Sequence, residues 1–523
     1  MIKNTEFGRI DISTVPLPAG LGSNVSGTYT CSGRVLVSAN LPEKDKDWYR
    51  VFTMEDDGTG IREVFAGIIP QKPGANGIRW MCFSDNRRVL LGDYVLEASP
   101  DLDHAVSASV VDLFLPEEIS RIPGVFMRWS EPIIAPDNEH IVFSTLTGGS
   151  SYNVLGRLVR DADAYRVEDA CLISSLDSLS PDPDEPGWFR QGVLRGGEVK
   201  QFVRGGRGIT LAGGGKSVSE SALQMLDSEE YAFITDTLGY EETAILSPDE
   251  VLAICMSPRF SPATDMGVLG VVPLSGDLLT RGRYLNVLYQ YAISGIRHFR
   301  SGNIGPALID VGRSMREGRQ YRGVDLSDPE DRFVYYSPMS WHPDSTRAMW
   351  NERTRLNAGP VECRLRVARL LDRAAAEPVK PQHTPDRGEI PYAEPLSRAL
   401  EVHAPVFPLR IKGAEGYVEN VCPQPGTTET RYHHFSEDGQ TYYDGFIRVT
   451  APENMFRPGK TVITGDISVT GAHTGRMDLT LCLQADARFQ IHPVMTPGED
   501  GLPQCRGYAE YDGLRRNVSD ISL

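Results

Sequence analysis

A short acidic turn followed by an apolar strand recurs along the chain, and this repeat constrains the fold more than any other feature. Asp and Asn tolerate the backbone of a tight turn, and the β-branched and aromatic residues after each turn favour a strand that enters a core. Each copy therefore predicts a β-hairpin. The clearest copies are SDNRRVLL at 84–91, PDNEHIVF at 136–143, SPDEVLAI at 247–254, HPDSTRAMW at 342–350 and SEDGQTYY at 436–443, with weaker copies at 32–39 and 227–234.

A second hairpin follows the first weak copy. The apolar strand WYRVFTM at 48–54 leads into EDDGTGIREVF at 55–65, so that a strand, a DG turn and another strand form the outer half of a four-stranded sheet. Helical periodicity is scarce elsewhere. Because repeated small sheets bury their faces by packing around an axis, we expect an all-β protein and, within that class, a β-propeller. Seven blades are favoured, and six or eight remain open.

Composition excludes several classes of function. The 523 residues include 53 Lys and Arg against 70 Asp and Glu, which gives a net charge of −17. This balance argues against a general binder of nucleic acid or of anionic membranes, because neutralising phosphates requires a basic surface. The first twenty residues lack the apolar core of a secretion signal, and the eight cysteines are scattered, so we expect reduced thiols and a cytoplasmic location.

Two composition shifts suggest the domain organisation. We expect a propeller over residues 1–374, interrupted at 281–332 by an Arg-rich insertion. Residues 375–396 are rich in Pro and charge, which is typical of a linker. Residues 397–523 contain short alternating strands. They predict either a β-sandwich-like appendage or an elaborated last blade that completes the propeller.

Common catalytic motifs are not found in the sequence. The glycine run at 205–217 ends in Gly215, Lys216 and Ser217, but Thr210 stands where a phosphate-binding loop needs its first glycine. A flexible hairpin loop explains this run better. The sequence also contains no GxSxG elbow and no HExxH zinc helix.

The repeat itself indicates where a site would lie. If each acidic turn ends the innermost strand of a blade, the residues six to nine positions earlier meet near one mouth of the central channel. This reasoning selects aromatic, basic, acidic and imidazole side chains, namely Arg79, Trp80, Arg128, Trp129, Glu131, Tyr240, Glu241, Glu242, Tyr335, Tyr336, Arg431, Tyr432, His433 and His434. Aromatic rings stack on sugar faces and Arg binds carboxylates with a two-pronged fork, so the set suits an acidic oligosaccharide.

The alternative for any one of these residues is packing between blades, for example Arg laid over an indole ring. The histidines also leave alternatives open. His433 and His434 are adjacent, so along a strand only one of them can face the channel. Arg297 and His298 lie in the Arg-rich insertion, which could cover the mouth. A metal site formed by His298, His433 and His434 is one hypothesis, although their spacing gives it no support.

The short segments WHPDS at 341–345 and SPDE at 247–250 resemble the TolB-type propeller repeat, which has a W-SPDG-like turn. Among enzymes with such propellers, the chain looks most like the oligogalacturonate lyases. That resemblance implies a cytoplasmic enzyme that cleaves short acidic sugars by β-elimination with a divalent metal, manganese or calcium, held by His and Gln. The C-terminal RYHHF at 431–435 does not match that ligand pattern.

The leading hypothesis is therefore a lyase that cleaves uronate-containing oligosaccharides in the channel. In such a reaction an Arg or a metal neutralises the uronate carboxylate, and a Tyr or His moves the proton. The catalytic candidates are His433, Tyr336 and Tyr240, and the substrate-binding candidates are Arg79, Trp80, Arg128, Trp129, Arg431, Tyr335 and Arg297. One alternative is a glycoside hydrolase using Glu131, Glu241 and Glu242. The other is a non-catalytic binding module or scaffold.

Overall fold

The computed structural model describes residues 1–41, 43–147, 151–175, 179–214, 219–261, 266–276, 287–327, 332–401, 407–452, 458–487 and 490–521. Gly215, Lys216 and Ser217 of the glycine run lie outside the described residues, as do residues 281–286 and 328–331 of the expected insertion.

Apart from a hairpin at 179–191, the strands between residues 2 and 370 form six small units. The units at 81–114 and 125–172 are joined edge to edge into one larger sheet, because Leu113 and Phe114 pair parallel with Tyr165 and Arg166. Unit 1 contains β3 (Val25–Tyr29), β4 (Val35–Asn40), β5 (Trp48–Met54) and β6 (Arg62–Ile68). Unit 2 contains β7 (Met81–Cys82), β8 (Arg88–Leu90), β9 (Tyr94–Ser99) and β10 (Ser107–Phe114). Unit 3 contains β11 (Val125–Ile134), β12 (His140–Thr147), β13 (Ser151–Arg160) and β14 (Tyr165–Leu172).

The other three units follow the same order of pairing. Unit 4 contains β17 (Glu198–Val203), β18 (Gly208–Gly214), β19 (Glu220–Met225) and β20 (Tyr231–Phe233). Unit 5 contains β21 (Thr243–Leu246), β22 (Leu252–Met256), β23 (Ala307–Asp310) and β24 (Val324–Asp325). Unit 6 contains β25 (Phe333–Trp341), β26 (Arg347–Thr354) and β27 (Cys363–Leu370), and is completed by β2 (Gly8–Thr14) and β1 (Ile2–Asn4).

The N-terminal strand closes the ring, because β2 pairs antiparallel with β27 and Ile10 lies opposite Leu370. The first strands of all six units, or residues beside them, line one central cavity. This arrangement is a β-propeller, as the sequence predicts. The described strands form six units, so the seven blades that the sequence favoured are not confirmed.

The acidic turns fold as the sequence predicts in units 2, 3, 5 and 6. Carboxylates accept backbone N–H groups two to three residues ahead, as Asp85 does from Arg87 and Arg88. The residue after the Asp of each turn adopts a positive φ that favours glycine, yet the residues there are Asn86, Asn138, Glu250 and Ser345. The copy at 227–234 instead joins the outer strands β19 and β20 of unit 4.

The C-terminal residues form a separate sheet. Its strands are β29 (Leu409–Lys412), β30 (Glu415–Gln424), β31 (Thr427–Ser436), β32 (Thr441–Thr450), β33 (Gly459–Gly471), β34 (Gly475–Ala485), β35 (Ile491–Pro493), β36 (Arg506–Tyr511) and β37 (Leu514–Asn517). The hairpin β15 (Leu179–Pro181) and β16 (Trp188–Gln191), inserted between units 3 and 4, extends it by pairing β16 parallel to β29. The copy at 436–443 joins β31 and β32 of this sheet rather than a propeller unit.

Few helices are described. They are α1 (Glu118–Arg121), α2 (Gly295–His298), α3 (Val311–Glu317) and α4 (Arg398–Glu401), with a π-helical turn at Tyr289–Ser294 preceding α2. The largest core joins this insertion to unit 6 and the C-terminal sheet, through side chains such as Leu269, Tyr291, Trp350 and Ile467. Within the described ranges, no helix has the length and apolar character needed to cross a bilayer.

Residues 376–389, here called the strap, cross the propeller from unit 6 to unit 3. Its backbone N–H groups donate in turn to carbonyl oxygens of the turns that end the inner strands: Ala376 to Asp344, Val379 to Pro248 and Gln382 to Gly205, at 3.0, 2.8 and 2.8 Å. The chain then adds β28 (Glu394–Pro395) to β14 and continues to the C-terminal sheet. The strap therefore follows one face of the ring.

Candidate functional site

The central cavity, here called the channel, has a volume of about 780 Å³ and is lined from all six units. Its turn end is where the inner strands run into their first hairpin turns, beneath the strap. Its insertion end is the opposite one, where residues 287–300 pack against the inner strands. A cavity of this size suits a drug-sized or oligosaccharide-sized ligand.

A charged cluster lies at the insertion end. Lys200 of β17 pairs with Glu198 at 2.9 Å and lies 3.9 Å from Glu131 of β11. Arg79, just before β7, lies 3.6 Å from the same Glu131 carboxylate. Arg79 and Glu131 keep 33% and 24% of their side-chain surface accessible, and both line the channel. Three units thus bring opposite charges together around a common space.

The backbone at Glu131 explains how its carboxylate reaches this space. β11 has a register irregularity between Ser130 and Ile133, and Glu131 adopts a φ of +49°. A bulge with a left-handed residue redirects a side chain, and such strain is often found at functional sites. Ser130 meanwhile donates its hydroxyl to Glu198 at 3.1 Å, which links β11 to the charged cluster a second time.

The carboxyl groups of this region have divergent pKa values. Burial would raise the pKa of Glu198, but the charge and hydrogen bond of Lys200 outweigh it, and the net shift is downward. Burial raises the pKa of Glu242, and Lys200 offsets this only in part. Paired groups whose surroundings separate their pKa values are candidates for acid and base roles.

A second group, here called the tyrosine–arginine cluster, lies beside the first. Arg297 of α2 lies 4.7 Å from the centre of the Tyr336 ring, and Arg353 of β26 lies 5.7 Å from it. Each guanidinium has a buried Nε with no hydrogen-bond partner, and neither guanidinium pairs with a carboxylate among the described residues. An Arg without a carboxylate partner is suited to bind an anionic group.

Tyrosines complete the insertion end. Burial raises the pKa of Tyr335 to about 12. Tyr240 packs edge-on against Tyr289 of the π-helical turn, with ring centres 5.8 Å apart. Burial, followed by the charge of Glu242, raises the pKa of Tyr240 and of Tyr289. These phenols therefore stay protonated near neutral pH and can donate hydrogen bonds.

Several predicted site residues do not reach this region. Arg128 pairs with Asp93 at 2.7 Å, and Trp129 is buried in a core between α1 and unit 3. Trp80 borders the channel but packs against Tyr49, with ring centres 6.0 Å apart. For these three side chains the structure fits the packing alternative.

The predicted residues at 431–434 lie on the C-terminal sheet, outside the channel lining. Arg431 pairs with Glu429 and Glu419, at 2.5 and 3.4 Å. His433 stacks on Tyr417 and His434 on Tyr442, both with ring centres 4.4 Å apart. Tyr432 is buried in the core of the same sheet.

A metal does not fit the channel as described. No histidine is among its lining residues, and each lining carboxylate already faces a cation. Glu131 faces Arg79 and Lys200, Glu250 faces Arg204, and Glu352 faces Arg364. His298 lies in α2, on a different element from His433 and His434. Among the described residues, the one group whose ligand atoms converge is His383, Asp386 and Glu389 of the strap.

Glu241, the other hydrolase candidate, lies between units 4 and 5. Its carboxylate pairs with Arg259 at 3.0 Å and accepts from the Ser257 hydroxyl. Both members of the ion pair are buried, so this Glu has a structural partner.

Sequence reasoning missed Glu198, Lys200, Tyr289 and Arg353. The turn after β17 is the glycine-rich Arg204–Gly206, which carries no acidic residue. If Gly205 and Gly206 are treated as the turn of this unit, the residues six to nine positions earlier include Glu198 and Lys200. Arg353 lies on a second strand, and no positional signal in the repeat points to it.

No protein-family model matches the chain, and no curated protein matches it. Solved structures with a similar fold include TolB from Acinetobacter baumannii, at 12% identity and a TM-score of 0.29, covering 66% of this chain and 65% of that chain. They also include an oligogalacturonate lyase in complex with manganese, at 10% identity and a TM-score of 0.36, covering 71% and 96%. A putative 6-phosphogluconolactonase from Bacteroides uniformis matches at 12% identity and a TM-score of 0.29, covering 70% and 89%.

The aligned part of this chain spans a little under two thirds of the TolB structure. TolB-type and oligogalacturonate lyase propellers are therefore among the structures that this chain resembles. At these identities and TM-scores the likeness concerns architecture and carries no argument about activity.

Proposed function

We propose that the protein is a carbohydrate-active enzyme that cleaves short uronate-containing oligosaccharides in the channel by β-elimination. The observation that carries this proposal is the tyrosine–arginine cluster. Arg297 and Arg353 flank Tyr336 and have no carboxylate partner among the described residues. Two such guanidinium groups around a phenol suit a substrate carboxylate placed next to a proton-transfer group.

The chemistry follows from what β-elimination requires. Binding the uronate carboxylate to Arg297 and Arg353 would neutralise it and make the adjacent C–H bond more acidic. Tyr336 would act as its phenolate beside the two guanidinium groups and take that proton, becoming a neutral phenol. The C–H electrons would form the C=C bond, and the glycosidic C–O bond would break. Glu242, whose raised pKa keeps it protonated at higher pH than an ordinary Glu, would give a proton to the leaving oxygen. No step in this scheme is assigned to a metal.

A second candidate function is glycoside hydrolysis. It is favoured by the separated pKa values of Glu242 and Glu198, which are shifted in opposite directions. In that reaction Glu242 would protonate the leaving oxygen, and Glu198 would act as base or nucleophile.

The test is incubation with a panel of uronate oligosaccharides while two signals are followed. Absorbance of an unsaturated product supports the lyase, and new reducing ends without that absorbance support the hydrolase. Arg297→Gln should abolish the lyase signal. Arg431→Gln is the matched control, because it removes an Arg that lies on the C-terminal sheet. Neither signal with any uronate substrate would overturn both proposals and favour a binding module.

A further inference from the structure

The two ends of the channel differ in chemistry. At the insertion end the lining side chains include Arg79, Glu131, Lys200 and Arg353. At the turn end they include a ring of apolar residues: Pro136, Pro248 and Pro343 from the hairpin turns, and Pro378, Val379 and Pro381 from the strap. One charged residue, Glu250, also lines the turn end, and it is paired with Arg204 at 3.2 Å.

Apolar side chains of the strap line the channel. The Val379 N–H donates to the Pro248 carbonyl and the Gln382 N–H donates to the Gly205 carbonyl, both at 2.8 Å. These bonds fix the backbone of the strap on the turns of units 5 and 4. The side chains between them, including Val379 and Pro381, are left to line the cavity.

The distance between the two ends exceeds the length of one sugar ring. Tyr336 and Trp341 of β25 lie opposite Asn351 and Ala348 of β26, which are three residues apart, so at a rise of about 3.3 Å per residue the two side chains are separated by roughly 10 Å along the strand. A uronate residue held at the tyrosine–arginine cluster would therefore leave the turn end for the next part of the ligand. The ligand part that suits a proline-lined space, where the Glu250 carboxylate is already paired with Arg204, is apolar.

We propose that the turn end of the channel is a subsite for an apolar aglycone. The preferred ligand would then be a conjugate of a uronate with an aromatic or alkyl group. This inference rests on the proposed function for the uronate half of the ligand. Proline rings and Val379 offer C–H surface that packs on an aromatic face, and burial of apolar surface supplies the binding energy.

The test is calorimetric titration of the whole protein with three probes: methyl β-D-glucuronide, 4-nitrophenyl β-D-glucuronide and 4-nitrophenyl β-D-glucoside. The nitrophenyl uronide should bind about tenfold more tightly than the methyl uronide. Val379→Asp should remove that gain and leave the affinity for the methyl uronide unchanged. Val193→Asp, an exposed valine outside the channel lining, is the matched control and should keep the gain.

Equal affinities for the two uronides, or a gain that survives Val379→Asp, would overturn the aglycone subsite. Val379→Ser provides a milder second variant if Val379→Asp does not fold, and it should reduce the gain. Binding of the nitrophenyl glucoside, which lacks the carboxylate, distinguishes the aglycone subsite from the proposed uronate binding. If this glucoside binds as tightly as the nitrophenyl uronide, the carboxylate role of Arg297 and Arg353 fails while the subsite stands.

Discussion

Protonation of His140 should control how firmly the strap is held. His140 is 1% exposed, and both of its ring nitrogens face carboxylates: Nδ1 lies 2.7 Å from Asp137 and Nε2 lies 3.0 Å from Asp386 of the strap. Both nitrogens can donate only in the imidazolium form. Burial alone would lower the pKa of His140, but the two carboxylates outweigh it and the net shift is upward.

The sign of the pH effect follows from this shift. Because the pKa of His140 is raised in the folded protein, the stabilisation that its imidazolium form gives is complete below the ordinary pKa of 6.5. That stabilisation is lost as pH rises through the folded-state pKa. Of the two His140 bonds, only the one to Asp386 reaches the strap, and Asp386 is 40% exposed. Arg157 also lies 3.8 Å from Asp386. A charge-assisted bond discounted for this exposure is worth about 1 kcal/mol, or roughly a fivefold change in local opening.

Hydrogen exchange measures that opening directly. The reporters are the strap amides of Gln382 and Thr384, which donate to Gly205 and Asp137. After correction for intrinsic exchange, their protection should fall about fivefold as pH rises above 6.5 in the wild type and should show no such fall in His140→Gln. His104→Gln, at an exposed His paired with Asp101, should behave as wild type. The same pH-dependent loss in His140→Gln would refute the reasoning.

Three further variants test the framework around the site. Glu241→Gln leaves the Arg259 guanidinium buried without its carboxylate, so thermal unfolding should show a loss of about 3 kcal/mol; an unchanged midpoint would contradict the ion pair. Lys200→Met removes the cation that lowers the pKa of Glu198, so the acidic limb of a pH–rate profile should move to higher pH, and a profile that does not move would exclude Glu198 from that limb. Gly323→Ala should destabilise by about 2 kcal/mol in denaturant unfolding, because φ is +68° and a Cβ would overlap a backbone carbonyl; full stability would show that the backbone there can relax.

The acidic turns made the fold class predictable from sequence because their physics is local. A carboxylate that caps the next N–H groups needs only the residues of one turn, as at Asp85 and Asp137. The same locality allows Asn, Glu or Ser in place of the glycine at a positive φ, so the copies look degenerate while the turns remain alike. The pairing of β2 with β27 that closes unit 6 joins residues far apart in the chain, so no local sequence pattern predicts it.

The site was predicted in part for the same reason. Counting back from the turns of units 2, 3, 5 and 6 selected Arg79, Glu131, Glu242 and Tyr336, which do lie at the insertion end. The role of each residue there is still a prediction. The count could not reveal that β11 bulges at Glu131, because a bulge depends on the partner strand as well as on its own sequence.

The placement of His433 shows where such counting fails. Ser436 and Asp438 cap the turn after β31 as Asp85 caps its own, so the two turns are equivalent in local chemistry. They differ only in what each hairpin packs against: the channel axis in unit 2, and a long antiparallel sheet around β31. Since packing partners are set by the whole chain, a turn motif can establish that a hairpin forms but not whether its strand lines a channel. For that reason the Pro-rich segment 375–396 is the more decisive sequence signal, because it marks where the radial repeat stops and a different sheet begins.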